Sequence, residues 1–329
     1  TWLQWSPNAL TQTTWTYAKT NRMLIEAGQL SLWEDQTNSL VKNGDAGTMV
    51  GDSYAVDRKY VSISEIGGSF PNLYNGRANG IGQVDPGRGS RVHVFTQRAS
   101  MSYITGSHAM KVGFQGLYSP AKSAAQMPEY SGLGPVQYVY RFGEPFQLRQ
   151  WRSPLDRRNR VYVAGIFAQD QWTVSRLTLN LGVRYDQLDG WVPPESVGPV
   201  AVFNLPALSF PEVRGVPNWK TITPRFGAAY DLFGNGKTAI KGSLGKYNET
   251  ESNGIASSNN PLNRIASQTL RSWADTNGNR FPDCSLASPA ANGECGAWLT
   301  PTFGTAQAAT TFDPDMLSGW NRRPYSWQG

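Results

Sequence analysis

The segment 162–186 constrains the fold most, because it predicts two long amphipathic strands joined by a two-residue turn. From Leu177 onward, apolar and polar side chains alternate without a break, which is the period of a β-strand with one apolar and one polar face. The stretch 162–174 alternates in the same way and leaves only Ser175 and Arg176 for the turn. A tilted membrane-spanning strand, with about ten residues in the hydrocarbon, fits this length better than an ordinary strand does.

The same hairpin unit recurs along the chain. Further turns are predicted at Gly106–Ser107, at 234–236 and, with imperfect alternation beside it, near Thr20–Asn21. The stretches between the hairpins are long, polar and rich in Gly, Pro, Asn and Ser: 34–91, 119–159, 187–220 and 249–329. Outer-membrane barrels have such short periplasmic turns and long extracellular loops. We therefore predict an all-β chain that forms part of an antiparallel transmembrane β-barrel, about eight to ten strands of a larger one, with long extracellular loops.

Composition agrees with a barrel and excludes a helical membrane protein. Only 16% of residues are charged, yet no run approaches the roughly twenty apolar residues that a spanning helix needs. The chain has 12 Trp and 14 Tyr, and barrels place such rings in girdles at the two membrane interfaces. We expect five tryptophans near strand ends to lie there: Trp33, Trp151, Trp172, Trp191 and Trp219. The alternative is that they pack the core of a soluble sandwich.

The second long loop contains a further hairpin and the densest basic stretch. Apolar side chains alternate through 136–142, and 143–145 turn the chain into 146–151, so this hairpin is expected above the membrane. The basic stretch 149–160 lies at its base. Contact with lipopolysaccharide phosphates, contact with an acidic substrate and a solvated loop are the three interpretations. A net charge of +6 also raises nucleic-acid binding, which long lipid-type strands make hard to accept.

The last long loop contains both cysteines and a cluster of Asp and Asn. A disulfide between Cys284 and Cys295 is the favoured prediction for a chain that crosses an oxidising periplasm, and a free or metal-bound pair is the alternative. Four oxygen-bearing residues just upstream have a spacing used by calcium loops: Asp275, Asn277, Asn279 and Asp283. Since the glycine and the twelfth-position glutamate of an EF-hand are missing, turn formation is favoured over a structural calcium site.

No catalytic site is predicted. Glu249 and Glu251 could suggest a glycosidase pair, but they follow a strand end and are better explained as solvated loop charges. His93 and His108 lie on neighbouring predicted strands without a carboxylate or cysteine in register. Nucleophile elbows, phosphate-binding loops and dinucleotide fingerprints are absent from the sequence.

Several segments resemble the barrel of TonB-dependent outer-membrane receptors. The similarity rests on four of them: 167–172 (FAQDQW), 177–186 (LTLNLGVRYD), 223–227 (TPRFG) and 228–231 (AAYD). Two more are similar to the Oar-like subgroup: 106–115 (GSHAMKVGFQ) and 319–325 (GWNRRPY). The resemblance extends from about Trp15 over most of the chain.

The resemblance implies a larger protein. Family members have a signal peptide, a plug domain with a TonB-contacting segment and a last strand ending on an aromatic residue, and 1–329 shows none of these. We therefore expect 1–329 to be an internal part of one receptor barrel domain, without plug and C-terminal strands. The family's barrel has about twenty-two strands, so two sheet edges would be unpaired and unstable in lipid. Four polar residues are expected to face the lumen, where the family's plug lies: Arg184, Asp186, Arg225 and Asp231.

The expected function is uptake of a nutrient ligand across the bacterial outer membrane, without bond chemistry. The expected partners are outer-membrane lipid and lipopolysaccharide, the TonB complex acting through the plug, and an extracellular ligand, with no nucleic acid and no cofactor besides the calcium considered above. A surface adhesin or structural barrel that binds glycans or proteins without transport is the alternative. A soluble secreted all-β binding protein is the third hypothesis.

Overall fold

The computed structural model describes residues 2–39, 61–67, 90–125, 132–249, 253–308 and 312–329. The strands in chain order are β1 (Trp2–Thr20), β2 (Met23–Ser39), β3 (Ser62–Ile66), β4 (Ser90–Thr105), β5 (His108–Ala125), β6 (Val136–Arg141), β7 (Glu144–Trp151), β8 (Leu155–Val174), β9 (Leu177–Trp191), β10 (Glu195–Val197), β11 (Leu208–Phe210), β12 (Asn218–Asp231), β13 (Ala239–Asn248), β14 (Gln268–Ser272), β15 (Ser318–Trp320) and β16 (Tyr325–Gln328). The described residues also include two short helices, α1 (Gly254–Ser258) and α2 (Pro314–Leu317), and 3-10 turns at Ala201–Phe203 and Pro261–Arg264. Among the described helices, none is long and apolar enough to cross a membrane.

One ten-stranded sheet forms the body of the protein, and the predicted antiparallel fold is confirmed. Its order is β1-β2-β4-β5-β8-β9-β12-β13-β16, and the short β15 pairs with β12 in parallel. All four predicted hairpins are present, including β1–β2, whose alternation is imperfect but whose strands have 19 and 17 residues. Four tight turns therefore lie at one end of the sheet, and four long connections lie at the other.

The sheet is a curved, open wall. In the described residues its edge strands β1 and β16 are not paired with each other. A cavity of about 420 Å³ is lined by side chains from β1, β2, β4, β5, β8 and β9 together, which requires the wall to curve around it. The face that lines this cavity is called the lumenal face below, and the opposite face is called the outward face.

The outward face has the character of a lipid-facing surface. Its middle carries apolar side chains that are largely exposed, such as Ile166 at 58% and Val183 at 50%. On β8, the exposed rings of Tyr162 and Trp172 border this band. They are ten residues apart, which is about 33 Å along a strand and about 25 Å across the membrane at the usual barrel tilt. This height matches the apolar band of outer-membrane barrels.

Two of the five girdle predictions are wrong. Trp33 and Trp172 are exposed, and Trp191 stacks on Tyr118 with ring centroids 6.2 Å apart. Trp219 is instead buried on the lumenal face, where its Nε1 donates to the carbonyl of Met316. Trp151 is buried at the end of β7, outside the main sheet. Position near a strand end did not reveal which face each ring takes or whether a loop covers it.

The long connections fold together into a second unit, called the loop domain here and comprising the described residues 61–67, 132–154, 192–217 and 253–308. A four-stranded sheet of order β14-β7-β6-β3 takes strands from three connections. The predicted external hairpin is confirmed as β6–β7 within it. Beneath this sheet lies a core that draws residues from all four connections: Ile63, Leu133, Val136, Tyr138, Leu148, Val200, Phe203, Leu205, Trp273, Leu286, Cys295 and Phe303. The loops therefore have a hydrophobic core of their own, outside the membrane band.

Candidate lumenal site and loop domain

A polar network crosses the lumenal face at mid-height. Arg184 on β9 donates its Nε to both oxygens of Asp186, at 2.8 and 2.9 Å, and its Nη1 to Gln115 on β5 at 2.8 Å. Asp186 is buried and also accepts from Asn248 at 3.4 Å. The intervening strand β8 contributes Gly165, where an added Cβ would lie 2.2 Å from Arg184. The missing side chain at Gly165 therefore lets the guanidinium reach across β8.

The four residues expected in the lumen have different surroundings. Arg184 and Asp186 form the network above, and the Arg225 guanidinium lies 4.7 Å from the ring centre of Tyr247. Asp231 has the same strand parity but ends β12, where its carboxylate accepts from the amides of Gly234 at 3.0 Å and Gly236 at 2.8 Å. Asp231 therefore stabilises the β12–β13 turn.

Part of the last long connection lies against the extracellular end of the lumenal face. Ala256 of α1 is fully buried against Val161, Leu188 and Trp219, on three neighbouring strands. Just before α1, Asn253 donates to the hydroxyl of Ser119 at 3.2 Å. The loop domain therefore covers the inner wall on the side of β8, β9 and β12.

Two fully buried arginines hold the loop domain together through backbone carbonyls. Arg271 donates to four carbonyls at 2.8 to 3.2 Å: Gly296, Ser285, Ser288 and Ala290. Arg152 donates to the carbonyl of Gly304 at 2.9 Å and to those of Gly198 and Pro206. Burial lowers the pKa of both guanidinium groups from the usual arginine range. An arginine fork can join several loop segments in this way because it carries five donors in a fixed plane.

The cysteine loop is closed in the structure. Cys284 and Cys295 form a disulfide with a Cα–Cα distance of 5.8 Å. Glu294 beside it accepts from the hydroxyl and the amide of Thr276, at 2.6 and 2.7 Å, and these bonds lower the pKa of its carboxyl. The disulfide and the Glu294 carboxylate therefore join the two sides of this segment.

The four residues proposed for calcium belong to the same segment. Asn277 and Asn279 both donate side-chain amides to Asp283, at 2.6 and 2.8 Å. Asp275 accepts from the amides of Asn279 at 3.1 Å and Arg280 at 2.8 Å. Within the described residues no group of three or more His, Cys, Asp or Glu side chains is arranged to hold a metal ion. This geometry is that of an Asx-rich turn.

The histidines were mispredicted as lacking carboxylate partners. His93 contacts Asp35 at 3.2 Å near the loop end of the wall, and His108 contacts Asp170 at 2.6 Å near the tight turns. Each pair joins neighbouring strands, so only the strand register places a carboxylate beside each ring. His108 also stacks on Trp172 with ring centroids 5.4 Å apart.

The basic side chains of the stretch 149–160 largely make contacts within the protein. Arg152 is buried as described above, and Arg158 forms an ion pair with Glu195 at 3.1 Å. Glu195 also accepts from the backbone amide of Arg158 at 2.6 Å. These contacts join the upper end of β8 to the third long connection.

A family model described as "Outer membrane beta barrel domain" matches residues 4–326. This chain belongs to that family. Together with the lipid-type outward face, membership makes it a β-barrel protein of the bacterial outer membrane. No curated protein matches this barrel chain.

Among solved structures, the crystal structure of the outer membrane transporter YddB from Escherichia coli is similar to this barrel chain. The identity is 12% and the TM-score 0.45, over 81% of this chain and 32% of the transporter. The chain thus spans about a third of the length of that transporter.

Proposed function

We propose that this chain is the barrel part of a TonB-dependent receptor of the Oar-like subgroup, which takes up a nutrient ligand across the outer membrane. The observation that carries the proposal is the folded loop domain above a concave, charged lumenal face. A loop domain with its own core presents a fixed surface for ligand capture. A lumenal face bearing Arg184, Asp186 and Arg225 suits a polar occupant such as a plug domain.

The open wall supports a larger barrel. Unpaired strand edges do not occur in contact with lipid, so β1 and β16, which do not pair with each other in the described residues, need further strands. Barrels of about twenty-two strands enclose a plugged lumen. We propose that 1–329 is part of one such domain, with the plug and the remaining strands lying elsewhere in a longer protein.

The partners follow from this proposal. Outer-membrane lipid surrounds the outward face, lipopolysaccharide phosphates contact exposed basic groups above the girdle, and the TonB complex acts through the plug. The barrel carries out no bond chemistry and binds no nucleic acid. A structural calcium bound by the Asp275–Asp283 turn remains a secondary proposal, and it requires Asn277 and Asn279 to turn their carbonyl oxygens toward the ion.

Thiol labelling in intact cells tests the transport proposal. Both cysteines of 1–329 are paired, so a single introduced cysteine is the only free thiol in this part of the full-length protein, and the protein without the introduced cysteine gives the background labelling. Arg225→Cys reports on the lumen, Phe142→Cys reports on an exposed loop tip and Val183→Cys reports on the lipid face. We expect a membrane-impermeant maleimide to label Phe142→Cys quickly and Arg225→Cys slowly, with Arg225→Cys labelling changed by an uncoupler of the proton gradient.

The same experiment separates transport from adhesion. Phe142 favours the adhesin hypothesis, because it is 70% exposed at the tip of β6–β7 and adopts a positive φ of 53° that a bulky residue rarely takes. A barrel that only binds partners has no energised plug. Fast labelling of Arg225→Cys that does not respond to the uncoupler would therefore refute the transport proposal.

A further inference from the structure

The cavity of about 420 Å³ lies where two rows of directly paired residues meet on the lumenal face. The polar row crosses seven strands: Thr14, Gly28, Arg98, Gln115, Gly165, Asp186 and Thr221. The apolar row, one step nearer the loop domain, crosses the same strands: Gln12, Leu30, Thr96, Leu117, Val163, Leu188 and Trp219. The cavity therefore has one polar side and one apolar side.

The polar side presents a guanidinium without a hydrogen-bonded partner. Arg98 is exposed and, among the described residues, its side chain makes no hydrogen bond and no ion pair closer than 4.0 Å. It lies along Gly28, where an added Cβ would be 3.1 Å from its Nε. The nearby Glu26 attracts Arg98 electrostatically, but its carboxylate is bonded to Lys111 at 3.1 Å. Two other arginines line the cavity: Arg184, which is bonded to Asp186, and Arg323, whose Nε donates to the carbonyl of Glu249 at 3.0 Å.

The apolar side is covered over only part of its length. At the β9–β12 end of the apolar row, Leu188 and Trp219 are buried under α1. At the other end, Leu30, Leu117 and Val163 line the cavity. Three apolar side chains thus remain beside the Arg98 guanidinium, at the same height as the part of the wall that α1 covers and next to it.

We propose that this cavity binds a small amphipathic carboxylate, with its acid group on Arg98 and its apolar body against Leu30, Leu117 and Val163. The proposal rests on the proposed function, since it names the ligand class that the lumen accepts from outside. A guanidinium matches a carboxylate because its planar fork donates two parallel hydrogen bonds. The cavity volume is within the usual range for small-molecule sites, about 300 to 1,000 Å³.

Three probes with one apolar body test the proposal: 3-phenylpropionate, 3-phenylpropan-1-ol and 3-phenylpropylamine. Their affinities are measured by isothermal titration calorimetry on full-length protein in lipid nanodiscs. We expect the acid to bind at least about tenfold more tightly than the alcohol, a step worth about 1.4 kcal/mol, and the amine to bind most weakly. Arg98→Gln should abolish the preference for the acid, and Arg98→Lys should keep part of it.

Arg225→Gln is the matched control, since it removes a lumenal arginine that does not line this cavity. Heat-modifiable mobility on denaturing gels checks that each variant is a folded barrel. Equal binding of acid and alcohol to the unmodified protein, no binding of any probe, or an unchanged acid preference in Arg98→Gln would each overturn the proposal. The absence of binding by any probe is also the result expected if an acidic side chain of the protein itself is bonded to Arg98.

The result is independent of the transport test. An acid preference that depends on Arg98, together with uncoupler-insensitive labelling of Arg225→Cys, would leave a carboxylate-binding barrel without energised uptake. Uncoupler-sensitive labelling without an acid preference would retain the transporter and discard this ligand class.

Discussion

Replacing Arg271 by leucine should open one side of the loop domain while leaving the barrel wall intact. The side chain is fully buried and, among the described residues, its partners are four backbone carbonyls rather than a carboxylate. Leucine fills part of the space but donates nothing. The four carbonyls near the Cys284–Cys295 disulfide would then lose the guanidinium, and only those of Ser285 and Ala290 keep another side-chain donor among the described residues, the Asn292 amide.

The magnitude follows from these bonds. A hydrogen bond to a charged group contributes about 1.5–3 kcal/mol net of dehydration. Two of the four carbonyls keep the Asn292 amide as a donor, so the loss corresponds to about two such bonds. We therefore expect Arg271→Leu to destabilise the segment 285–296 by about 3–5 kcal/mol, which makes its opening at least about 100-fold more frequent.

Hydrogen exchange followed by mass spectrometry measures this opening in the full-length protein. Peptides covering 285–296 and β14 should exchange at least about 100-fold faster in Arg271→Leu, while peptides from β8 and β9 should not change. Arg271→Lys should be intermediate, because an ammonium keeps the charge but lacks the planar fork. The control is Arg280→Leu, the same change at an exposed site in the same connection. Equal exchange of 285–296 in both leucine variants would refute the reasoning.

Three further outcomes are expected. Val183→Arg places a charge in the lipid-facing band and should lower the free energy of unfolding by about 2–4 kcal/mol, whereas Gln169→Arg on the lumenal face should change it little. Urea unfolding in lipid vesicles measures both values, and equal losses would contradict the assigned faces. Gly190→Ala should destabilise the protein more than Gly165→Ala in the same assay. At Gly190 the new Cβ would lie 2.5 Å from a backbone carbonyl oxygen, whereas at Gly165 it would meet only the movable ends of side chains. The reverse order would contradict the packing. The pKa of Glu294 is lowered on folding, so its contribution to the stability of the loop is present above the ordinary glutamate pKa and is lost as the pH falls through the lowered value. Proteolysis of the cysteine loop should therefore accelerate over that acid range in the unmodified protein. A Glu294→Gln variant that keeps the same pH dependence would count against this.

The barrel wall was predictable from the sequence because alternation is a local property. In 162–186, each side chain reports its face by its position alone, and both strands and the turn at Ser175–Arg176 are found where the sequence predicts them. Arg184 and Asp186 were placed on the polar face for the same reason. Strand ends were less predictable: β8 begins at Leu155, inside a stretch that the sequence predicts as loop.

The site was less predictable, because it depends on which strands are neighbours and in what register. Arg98 was not singled out, since an alternating arginine in β4 looks like any other wall residue. Its environment arises from pairing with Gly28 on one side and Gln115 on the other. The carboxylate partners of His93 and His108 were missed for the same reason, because they are supplied by neighbouring strands.

The sequence by itself determined the alternating faces, the tight turns and the identity of the chain as an outer-membrane barrel, since all three follow from short-range periodicity and turn chemistry. Only the tertiary structure decided that the four long connections share one core, that Arg152 and Arg271 bind them through backbone carbonyls, and that α1 covers part of the lumenal wall. Apart from the hairpin 136–151, the long connections carry no periodic pattern, so their burial depends on contacts between segments far apart in the chain. The same dependence on register places the Arg98 guanidinium beside three apolar side chains in the lumen.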